Sequence, residues 1–393
     1  MVKYTVIRAT ATTIFGLVIG ILLGLAYQLM PLFVTNNQYI SPLSQFQTSE
    51  YQVIGFLPYW LVDSATTDYS PYLTTLAYFG VTVGSDGKIV KMNNEREANL
   101  GWHLLATGKL DGLLSKAKAK GETLSLVAFN GVNDSIGELI NDPVVHARNL
   151  LDEVVPVMKQ YGFKDLNLDI ESTTEASQEA RLHFTQFVAE VKRGLDAQKA
   201  GTLTIDVSPI VLVKNYLIDV KAIAPYVDTV VFMTYDYHYQ GSYVTGPVAP
   251  LGGGGTISEF DTIQAIHEAE TILPIEKIVM GIPLYGYEWE TIGNTARSAV
   301  IPGTGIVATN KRVEELLKTC TTCSVRQEPE AKERYLIYED EDTGSYHQIF
   351  YPEKEGLEAK VSFASHEHLS GVALWALGYE GHDILKPIQT YRK

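Results

Sequence analysis

The chain has 393 residues, of which 46% are hydrophobic and 20% are charged, as is typical of a folded globular protein. That composition excludes a disordered chain and a coiled coil. Acidic residues outnumber basic residues by 46 to 31, and the net charge of −15 argues against a nucleic-acid partner, because no surplus of cations is present to neutralise phosphates.

Residues 9–34 form an uncharged, mostly apolar run that is long enough to cross a bilayer. Lys3 and Arg8 precede it and the next basic residue is Lys88, so the positive-inside bias predicts that residues 1–8 stay in the cytoplasm and the rest is exported. No persuasive small-x-small cleavage site follows the run. We therefore expect an uncleaved signal anchor that holds the protein on the extracytoplasmic side of the membrane, whereas cleavage would release a secreted protein.

Three glycines repeat at four-residue spacing within this run, namely Gly16, Gly20 and Gly24. They share one helix face, and such a face can pack two membrane helices closely into a homodimer. The alternative is that these glycines have no special role, since glycine is common in membrane helices. Residues 35–50 are polar and uncharged until Glu50, which predicts a short stalk.

From residue 51 onward, apolar runs of strand length alternate with amphipathic stretches of helix length, such as 142–161 and 176–199. This alternation predicts a parallel (β/α)8 barrel over residues 51–286 and 371–393. An open doubly wound sheet is the alternative, but no glycine-rich phosphate loop follows the first strand. The predicted strands are 52–57, 74–83, 123–130, 165–170, 203–208, 228–235, 277–284 and 371–377.

About 85 residues separate the seventh and eighth predicted strands, far more than a normal connection in an α/β fold. Their pattern predicts a small α+β insertion domain over 287–370, with a helix near 310–319 and strands near 334–339 and 345–351. The acidic turn at 339–344 is interpreted as a solvated hairpin tip, because its spacing does not fit a calcium-binding loop.

The two cysteines of the chain, Cys320 and Cys323, follow the helix predicted in the insertion. Two cysteines are too few for a disulfide scaffold or a four-cysteine zinc site. A lone Cys-x-x-Cys outside the cytoplasm favours a local disulfide over a redox site or half of a zinc site.

The fourth predicted strand and its end carry the most informative residues of the chain, FKDLNLDIE at 163–171. Because side chains alternate along a strand, Asn167, Asp169 and Glu171 share one face. In a barrel that face points inward, with Glu171 nearest the mouth where barrel active sites lie. The alternative is a half-exposed strand whose polar face meets water. Two acids held together in a covered barrel instead predict a raised pKa and a general acid.

A second cluster of polar and aromatic residues follows the sixth predicted strand, and further aromatic residues lie at the ends of other strands. Aromatic faces gathered at one rim suit stacking on pyranose rings, although each residue taken singly could belong to the core. We take Glu171, Asp169 and Tyr235 as candidate catalytic residues. The candidate substrate-binding residues are Asn167, Met233, Asp236, Tyr237, Tyr285, Trp375 and Tyr59.

Four short motifs follow one another on the last five strands: KDLNLDIE at 164–171, MTYD at 233–236, GIPLYG at 281–286 and Trp375 in GVALWAL. They resemble the motifs DGxDxDxE, MxYD, Gly-x-Pro-x-Tyr-Gly and a tryptophan of glycoside hydrolase family 18, the chitinases and related endo-N-acetylglucosaminidases. The family's third-strand SxGG is represented only by AFNG at 128–131.

This resemblance covers roughly residues 51–385, and the predicted insertion resembles the α+β insertion domain of the family. Within the family, the chain is similar to bacterial spore-cortex-lytic N-acetylglucosaminidases. They also tend to carry Asn at the position of Asn167, and they share the PLYGYxW run, here 283–289, and a loop like GPVAP, here 246–250.

The resemblance implies a substrate-assisted mechanism with retention of configuration and without a cofactor or metal. Glu171 would protonate the glycosidic oxygen and later activate water, while the 2-acetamido oxygen of the substrate attacks the anomeric carbon. Asp169 would orient the acetamido N–H and Tyr235 would hold its oxygen. Asp236 would bind the same sugar and Trp375 would form its floor. The implied substrate is a polysaccharide of β-1,4-linked N-acetylglucosamine, of peptidoglycan or chitin type.

The chain departs from the family motif at Lys164 and Asp165, where the family keeps Asp-Gly, and we expect a different local backbone there. With Asn167 in place of an acid, Asp169 loses a charged neighbour, and we expect it to stay ionised more easily. These departures leave open a non-catalytic, lectin-like binding protein on the same fold. A membrane-tethered adaptor that binds a protein partner is a third alternative, supported only by the anchor and the acidic surface.

Overall fold

The computed structural model describes residues 51–392, and strands and helices are numbered along that part of the chain. Eight parallel strands form a closed barrel, namely β1 (Gln52–Pro58), β2 (Thr75–Thr82), β5 (Thr123–Asn130), β6 (Asp165–Ile170), β7 (Thr202–Val207), β8 (Thr229–Phe232), β9 (Ile278–Pro283) and β15 (Gly371–Trp375). They are hydrogen-bonded in the order β1, β15, β9, β8, β7, β6, β5, β2. The closed barrel confirms the predicted (β/α)8 fold.

Helices surround the barrel, and a short hairpin of β3 (Met92–Asn94) and β4 (Glu97–Ala98) follows β2. The longest helices have clear end signals: Asp142 caps the helix that begins at Pro143, and Gly162 ends it in a left-handed conformation. The α-helices are α1 (Leu100–Ala106), α2 (Asp111–Ala119), α3 (Asn133–Leu139), α4 (Pro143–Tyr161), α5 (Gln178–Gln198), α6 (Val220–Ile223), α7 (Thr262–Glu270), α8 (Asn310–Thr319), α9 (Lys354–His366) and α10 (Lys386–Tyr391).

The predicted strand 228–235 is longer than β8, which ends at Phe232. The Met233 amide still donates to Val207 O at 2.9 Å, but the Thr234 and Tyr235 amides then turn back to Phe232 O and Met233 O, both at 2.8 Å. The residues after Phe232 therefore form a turn at the barrel mouth, so strand alternation does not determine where Tyr235 points.

The barrel interior is divided into an apolar half and a polar half. Apolar side chains such as Phe56, Phe79 and Val279 fill the half of the interior that is enclosed by β1, β2, β15 and β9. Buried polar side chains occupy the half formed by β6 and β7, namely Asp165, Asn167, Asp169, Thr204 and Asp206. Strands and helices bury a separate, larger apolar core between them. The polar half therefore positions the candidate site.

The backbone at Asp165 does not depart from a regular strand, contrary to our expectation. β6 begins at this residue and keeps its register with both neighbouring strands. The buried carboxylate of Asp165 accepts hydrogen bonds from Ser125 (2.6 Å), Thr202 (2.6 Å) and Thr204 (3.0 Å). Three hydroxyls on adjacent strands thus satisfy the acid at the bottom of the barrel, far below Glu171.

The segment between β9 and β15 contains a five-stranded antiparallel sheet with α8 packed on one face. Its strands are β10 (Tyr285–Thr291), β11 (Ile306–Thr309), β12 (Ser324–Glu328), β13 (Glu333–Glu339) and β14 (Tyr346–Tyr351), in the order β11, β10, β14, β13, β12. The extent of this segment differs from the insertion domain predicted over 287–370. The sheet begins at Tyr285, and α9 packs on the main barrel core through Leu357 and Val361.

Two smaller features of the insertion correspond to the sequence analysis. Cys320 and Cys323 are joined by a disulfide just after α8, with their Cα atoms 5.6 Å apart. The acidic turn is a largely exposed hairpin tip, in which Asp340 accepts hydrogen bonds from the backbone amides of Asp342 (2.9 Å) and Thr343 (3.1 Å).

The predicted cytoplasmic residues 1–8, anchor 9–34 with its three glycines, and stalk 35–50 lie outside the described residues. Within residues 51–392, no helix combines the length and the apolar character that crossing a bilayer would require.

Candidate active site

Strand β6 brings three of the predicted side chains to the barrel interior, one above the other. Asn167 is fully buried and Asp169 is 3% exposed, whereas Glu171 lies just past the strand at the open mouth. The Glu171 amide donates to Asn130 O at 2.9 Å, which ties the start of its loop to the end of β5. The alternation of the strand therefore places Asp169 directly beneath Glu171, as predicted.

The surroundings of Glu171 favour its protonated form. The side chain keeps contact with solvent, yet most of its surroundings are protein, and this loss of hydration raises the pKa of Glu171. The negative charge of Asp236 raises the pKa further. A carboxyl group that holds its proton closer to neutral pH is suited to general acid catalysis.

A further acid lies in this part of the barrel, and the sequence analysis did not single it out. Asp206 on β7 is 4% exposed and accepts a hydrogen bond from Asn167 Nδ2 at 3.0 Å. Burial, followed by the charges of Glu171 and Asp206, raises the pKa of Asp169 well above its ordinary value. The expectation that Asp169 stays ionised more easily is therefore wrong, because burial disfavours its charged form and Glu171 and Asp206 supply negative neighbours.

The phenol of Tyr235 lies in the same polar group. Burial raises the pKa of Tyr235, and the charges of Asp206 and Asp169 raise it further, so the hydroxyl stays protonated and can donate a hydrogen bond. Gly281 on β9 makes room for this ring. A Cβ atom there would lie 2.9 Å from the Tyr235 ring and 2.7 Å from Phe232 O. The glycine of the GIPLYG motif thus allows the tyrosine to enter the mouth.

Asp236 occupies a left-handed backbone conformation, with φ of 61°, which is uncommon for a residue with a side chain. Its Oδ1 accepts hydrogen bonds from the Tyr285 hydroxyl and from the Tyr287 hydroxyl, the latter at 3.2 Å. Burial raises the pKa of Asp236, and the two phenol hydrogen bonds oppose that rise. The first strand of the insertion therefore helps to orient this acid.

Aromatic rings line the opposite, apolar part of the mouth. The half-buried ring of Trp375 lies 5.8 Å from Phe56, 5.1 Å from Phe79 and 6.4 Å from Trp60, measured between centroids. Phe129 adjoins Phe79 at 5.1 Å. These rings form an apolar surface beside the carboxylates, which suits contact with the apolar face of a sugar.

The ring of Tyr59 adjoins this aromatic surface, with its centroid 4.9 Å from that of Trp60. Tyr59 packs against the core between the barrel and its helices, whereas Trp60 faces the mouth and is 47% exposed. Both residues follow β1 in a short 3-10 turn, Tyr59–Leu61, in which strand alternation no longer applies. The signal that could have identified Trp60 is its position directly after the first strand, at the carboxyl end of the barrel where active sites lie.

Two adjoining cavities extend from the carboxylates along the loops after β7 and β8. The first, about 380 Å³, is lined by Tyr237 and by the carboxylates of Asp236, Glu259 and Glu268. Tyr237 itself donates its hydroxyl to Asp261 O at 3.1 Å, so it forms part of the wall.

The second cavity, about 270 Å³, is lined by Met233, Glu171 and Asp206. Ser208 and Ile210 line both cavities. In the described part of the chain, no Lys, Arg or His lines either of them. The mouth therefore combines an aromatic side with an acidic side.

One group of side chains of the kinds that bind metals lies elsewhere, and the sequence analysis did not identify it. His267 and Glu270 on α7 approach Glu367, just after α9, with one ligand atom of each within 4.8 Å of the others. None of these three side chains lines either of the two cavities beside the carboxylates. This group is therefore separate from the candidate active site.

Known proteins resemble this chain in sequence and in fold. The sequence model of glycosyl hydrolases family 18 matches residues 46–380. The "Cortical fragment-lytic enzyme" of Bacillus subtilis is 28% identical over 362 residues, which cover 88% of this chain and 71% of the relative.

Two crystal structures share the fold. A Group IV chitinase of Ostrinia furnacalis, solved with allosamidin, has a TM-score of 0.74 at 20% identity and covers 86% of this chain and 98% of its own. The Bacillus cereus spore cortex-lytic enzyme SleL has a TM-score of 0.65 at 21% identity, with coverages of 87% and 74%.

Proposed function

This chain belongs to glycosyl hydrolases family 18 and is a glycosidase, and on that premise we propose that it cleaves β-1,4-linked N-acetylglucosamine polymers of peptidoglycan or chitin type with retention of configuration. The observation that carries this proposal is the grouping of Asp169, Glu171, Tyr235 and Asp236 at the mouth of the barrel. The names of its relatives, a cortical fragment-lytic enzyme and a chitinase, support both classes of polymer.

In the first step, Glu171 donates its proton to the glycosidic oxygen as that bond breaks. The 2-acetamido oxygen of the substrate attacks the anomeric carbon and forms a cyclic oxazolinium intermediate. The carboxylate of Asp169 accepts the acetamido N–H and stabilises the positive charge. Its Oδ1 is buried and has no hydrogen-bond partner among the described residues, which fits this role. Tyr235 donates its hydroxyl to the acetamido oxygen and aligns it.

In the second step, Glu171 acts as the general base. It removes a proton from water, which attacks the anomeric carbon from the side that the leaving group has vacated. The acetamido group is released, and the two successive inversions give overall retention. Trp375 supplies the apolar floor for the reacting sugar, and Asp236 binds the same sugar through its fixed carboxylate.

The test compares Glu171→Gln with Glu175→Gln, a change at an exposed acid in the same loop. The full chain in detergent is incubated with N-acetylglucosamine oligomers and with purified peptidoglycan, and products are read by mass spectrometry. Glu171→Gln is expected to lose a factor on the order of 10² or more in rate, a typical general-acid contribution. Glu175→Gln should retain the wild-type rate.

Unchanged turnover in Glu171→Gln would refute the proposed acid. Sugar binding without cleavage by the wild-type protein would instead identify a lectin-like protein on the same fold. Asp165 gives no support to that alternative, because its carboxylate is satisfied by hydroxyls at the bottom of β6.

We also propose that residues 9–34 anchor the protein, with its barrel on the extracytoplasmic side. The support is the uncharged apolar run preceded by Lys3 and Arg8. After washing of membranes at alkaline pH, the protein should stay in the membrane fraction at full length. Release into the wash, or a mature chain that lacks residues 9–34, would contradict an uncleaved anchor.

A further inference from the structure

Asp206 is a buried acid that belongs to none of the recognised motifs. Asn167, which is fully buried, donates its amide to Asp206 Oδ1 at 3.0 Å and so fixes the orientation of the carboxylate. No family motif covers β7, yet its last inward-facing side chain is this acid. A buried carboxylate is costly unless it has a partner or a function, and a neutral amide supplies only one hydrogen bond.

The strand register places Asp206 beside Asp169. In the register between β6 and β7, Asn167 pairs with Thr204 and Leu168 pairs with Ile205. Continuing this register by one residue sets Asp169 opposite Asp206. Neighbouring strands lie about 4.8 Å apart, and paired residues point to the same face. Both carboxylates therefore point into the barrel at one height, beneath Glu171.

The titratable groups that face Asp206 are carboxyl groups and phenols. Asp165, Asp169 and Glu171 approach it from β6 and the loop that follows β6. Tyr235 approaches from the turn after β8, and Tyr216 lines the same cavity from the loop after β7. Two adjacent, buried carboxylates in such surroundings cannot both be ionised near neutral pH, so the pair retains one proton.

We propose that Asp206 is a positioning residue of the hydrolysis, which takes the shared proton from Asp169 as the acetamido group attacks. In this step the O–H bond of Asp169 breaks and an O–H bond of Asp206 forms. The net charge of the pair stays at −1. Asp169 then faces the developing oxazolinium as a carboxylate, and the proton returns after product release. The inference rests on the proposed function.

Three variants test the role: Asp206→Asn, Asp206→Ala, and the exchange Asn167→Asp with Asp206→Asn, which moves the acid to the neighbouring strand. Asp206→Asn should lower kcat on the order of tenfold or more, with KM within about threefold, because the lost interaction acts in the transition state. The acid limb of the kcat profile should move to higher pH, because the Asp169 carboxylate loses the protonated neighbour whose hydrogen bond favours its charged form.

The exchange variant should recover part of kcat and return the acid limb toward its wild-type position. A purely structural role predicts neither change, and a shared midpoint of unfolding would show that the variants fold alike. If Asp206→Ala unfolds, the exchange variant still decides the question. An acid limb and kcat that are unchanged in Asp206→Asn would overturn the inference.

Infrared difference spectroscopy of protonated carboxyl groups separates this inference from the proposed function. The wild-type protein should hold a protonated carboxyl near neutral pH that Asp206→Asn lacks and the exchange variant regains. Loss of that signal supports the shared proton even if no polymer is cleaved. Its persistence in Asp206→Asn, in a protein that cleaves polymers through Glu171, would overturn the role of Asp206 alone.

Discussion

The hydroxyl of Tyr285 donates a hydrogen bond to the carboxylate of Asp236 and links strand β10 of the insertion to the acid that influences Glu171. Tyr287 donates to the same oxygen at 3.2 Å. The two phenols oppose the rise in the pKa of Asp236 that burial causes, and they favour its charged form. That charge in turn raises the pKa of Glu171, so the insertion contributes to the protonation of the proposed acid.

The first prediction concerns the pH dependence of Asp236→Asn. Removing the negative charge should lower the pKa of Glu171. Because Glu171 must be protonated at the start of the reaction, activity is lost as the pH rises through its pKa. The alkaline limb of kcat/KM should therefore move to lower pH, whatever happens to the maximum rate. The check is a pH profile on neutral oligomers, with Glu95→Gln on the exposed hairpin as the control. A limb that stays in place would contradict the coupling.

Strand alternation and spacing were sufficient to predict the barrel and the stacked side chains of β6. The inward positions of Asn167, Asp169 and Glu171 follow from a period of two along one strand, which a sequence displays directly. The same alternation along 203–208 places Asp206 on the inward face of β7, but it does not show that this acid lies beside Asp169. The role of Asp206 depends on the register between β6 and β7, and one sequence does not specify how two strands align.

The remaining differences arise where the chain leaves regular structure. The turn after Phe232 brings Tyr235 and Asp236 into the mouth by backbone hydrogen bonds that have no sequence period. Glu259 reaches the first cavity from the long connection after β8, where neither strand nor helix spacing positions it, whereas Glu268 lines the same cavity from α7.

The second prediction tests the aromatic floor. In a Glu171→Gln background, which prevents turnover, Trp375→Ala should weaken oligosaccharide binding by about 1.5–3 kcal/mol, the value of burying a large apolar side chain. Isothermal titration calorimetry measures the dissociation constants. Trp102→Ala is the matched control, because that ring packs on the core between the barrel and its helices, with the ammonium of Lys91 5.5 Å from its centroid. Equal affinities for the two variants would show that the sugar does not bind against Trp375.

The third prediction concerns charge selectivity. Asp236, Glu259 and Glu268 line the cavities beside the carboxylates, and among the described residues no Lys, Arg or His lines them. A sugar that carries a free carboxylate should therefore be disfavoured by charge repulsion. The double change Glu259→Gln and Glu268→Gln should raise kcat/KM for carboxylated oligomers by about two- to thirtyfold, since exposed charge interactions amount to roughly 0.2–1 kcal/mol each. Neutral oligomers should be cleaved as before. An equal gain on both substrates would argue against charge as the cause.

The last prediction concerns the buried ion pair that connects α9 to the insertion and to the loop at 246–250. Lys360 is 1% exposed and lies 3.5 Å from Glu333, which is fully buried. Glu333 also accepts the backbone amides of Val248 (2.8 Å) and Ala249 (2.7 Å). The pair thus joins three parts of the fold at one point.

Replacing Lys360 with Met leaves the Glu333 carboxylate buried without its counter-charge. The free energy of unfolding should fall by about 3–5 kcal/mol, the usual cost of breaking a buried pair by removing one partner. Adding Glu333→Gln should recover part of the loss, because the uncompensated charge is then gone. Urea unfolding measures each variant. Lys116→Met, which breaks an exposed pair with Asp68, should cost less than about 1 kcal/mol. If Lys360→Met were no worse than that control, the pair would have no such structural role.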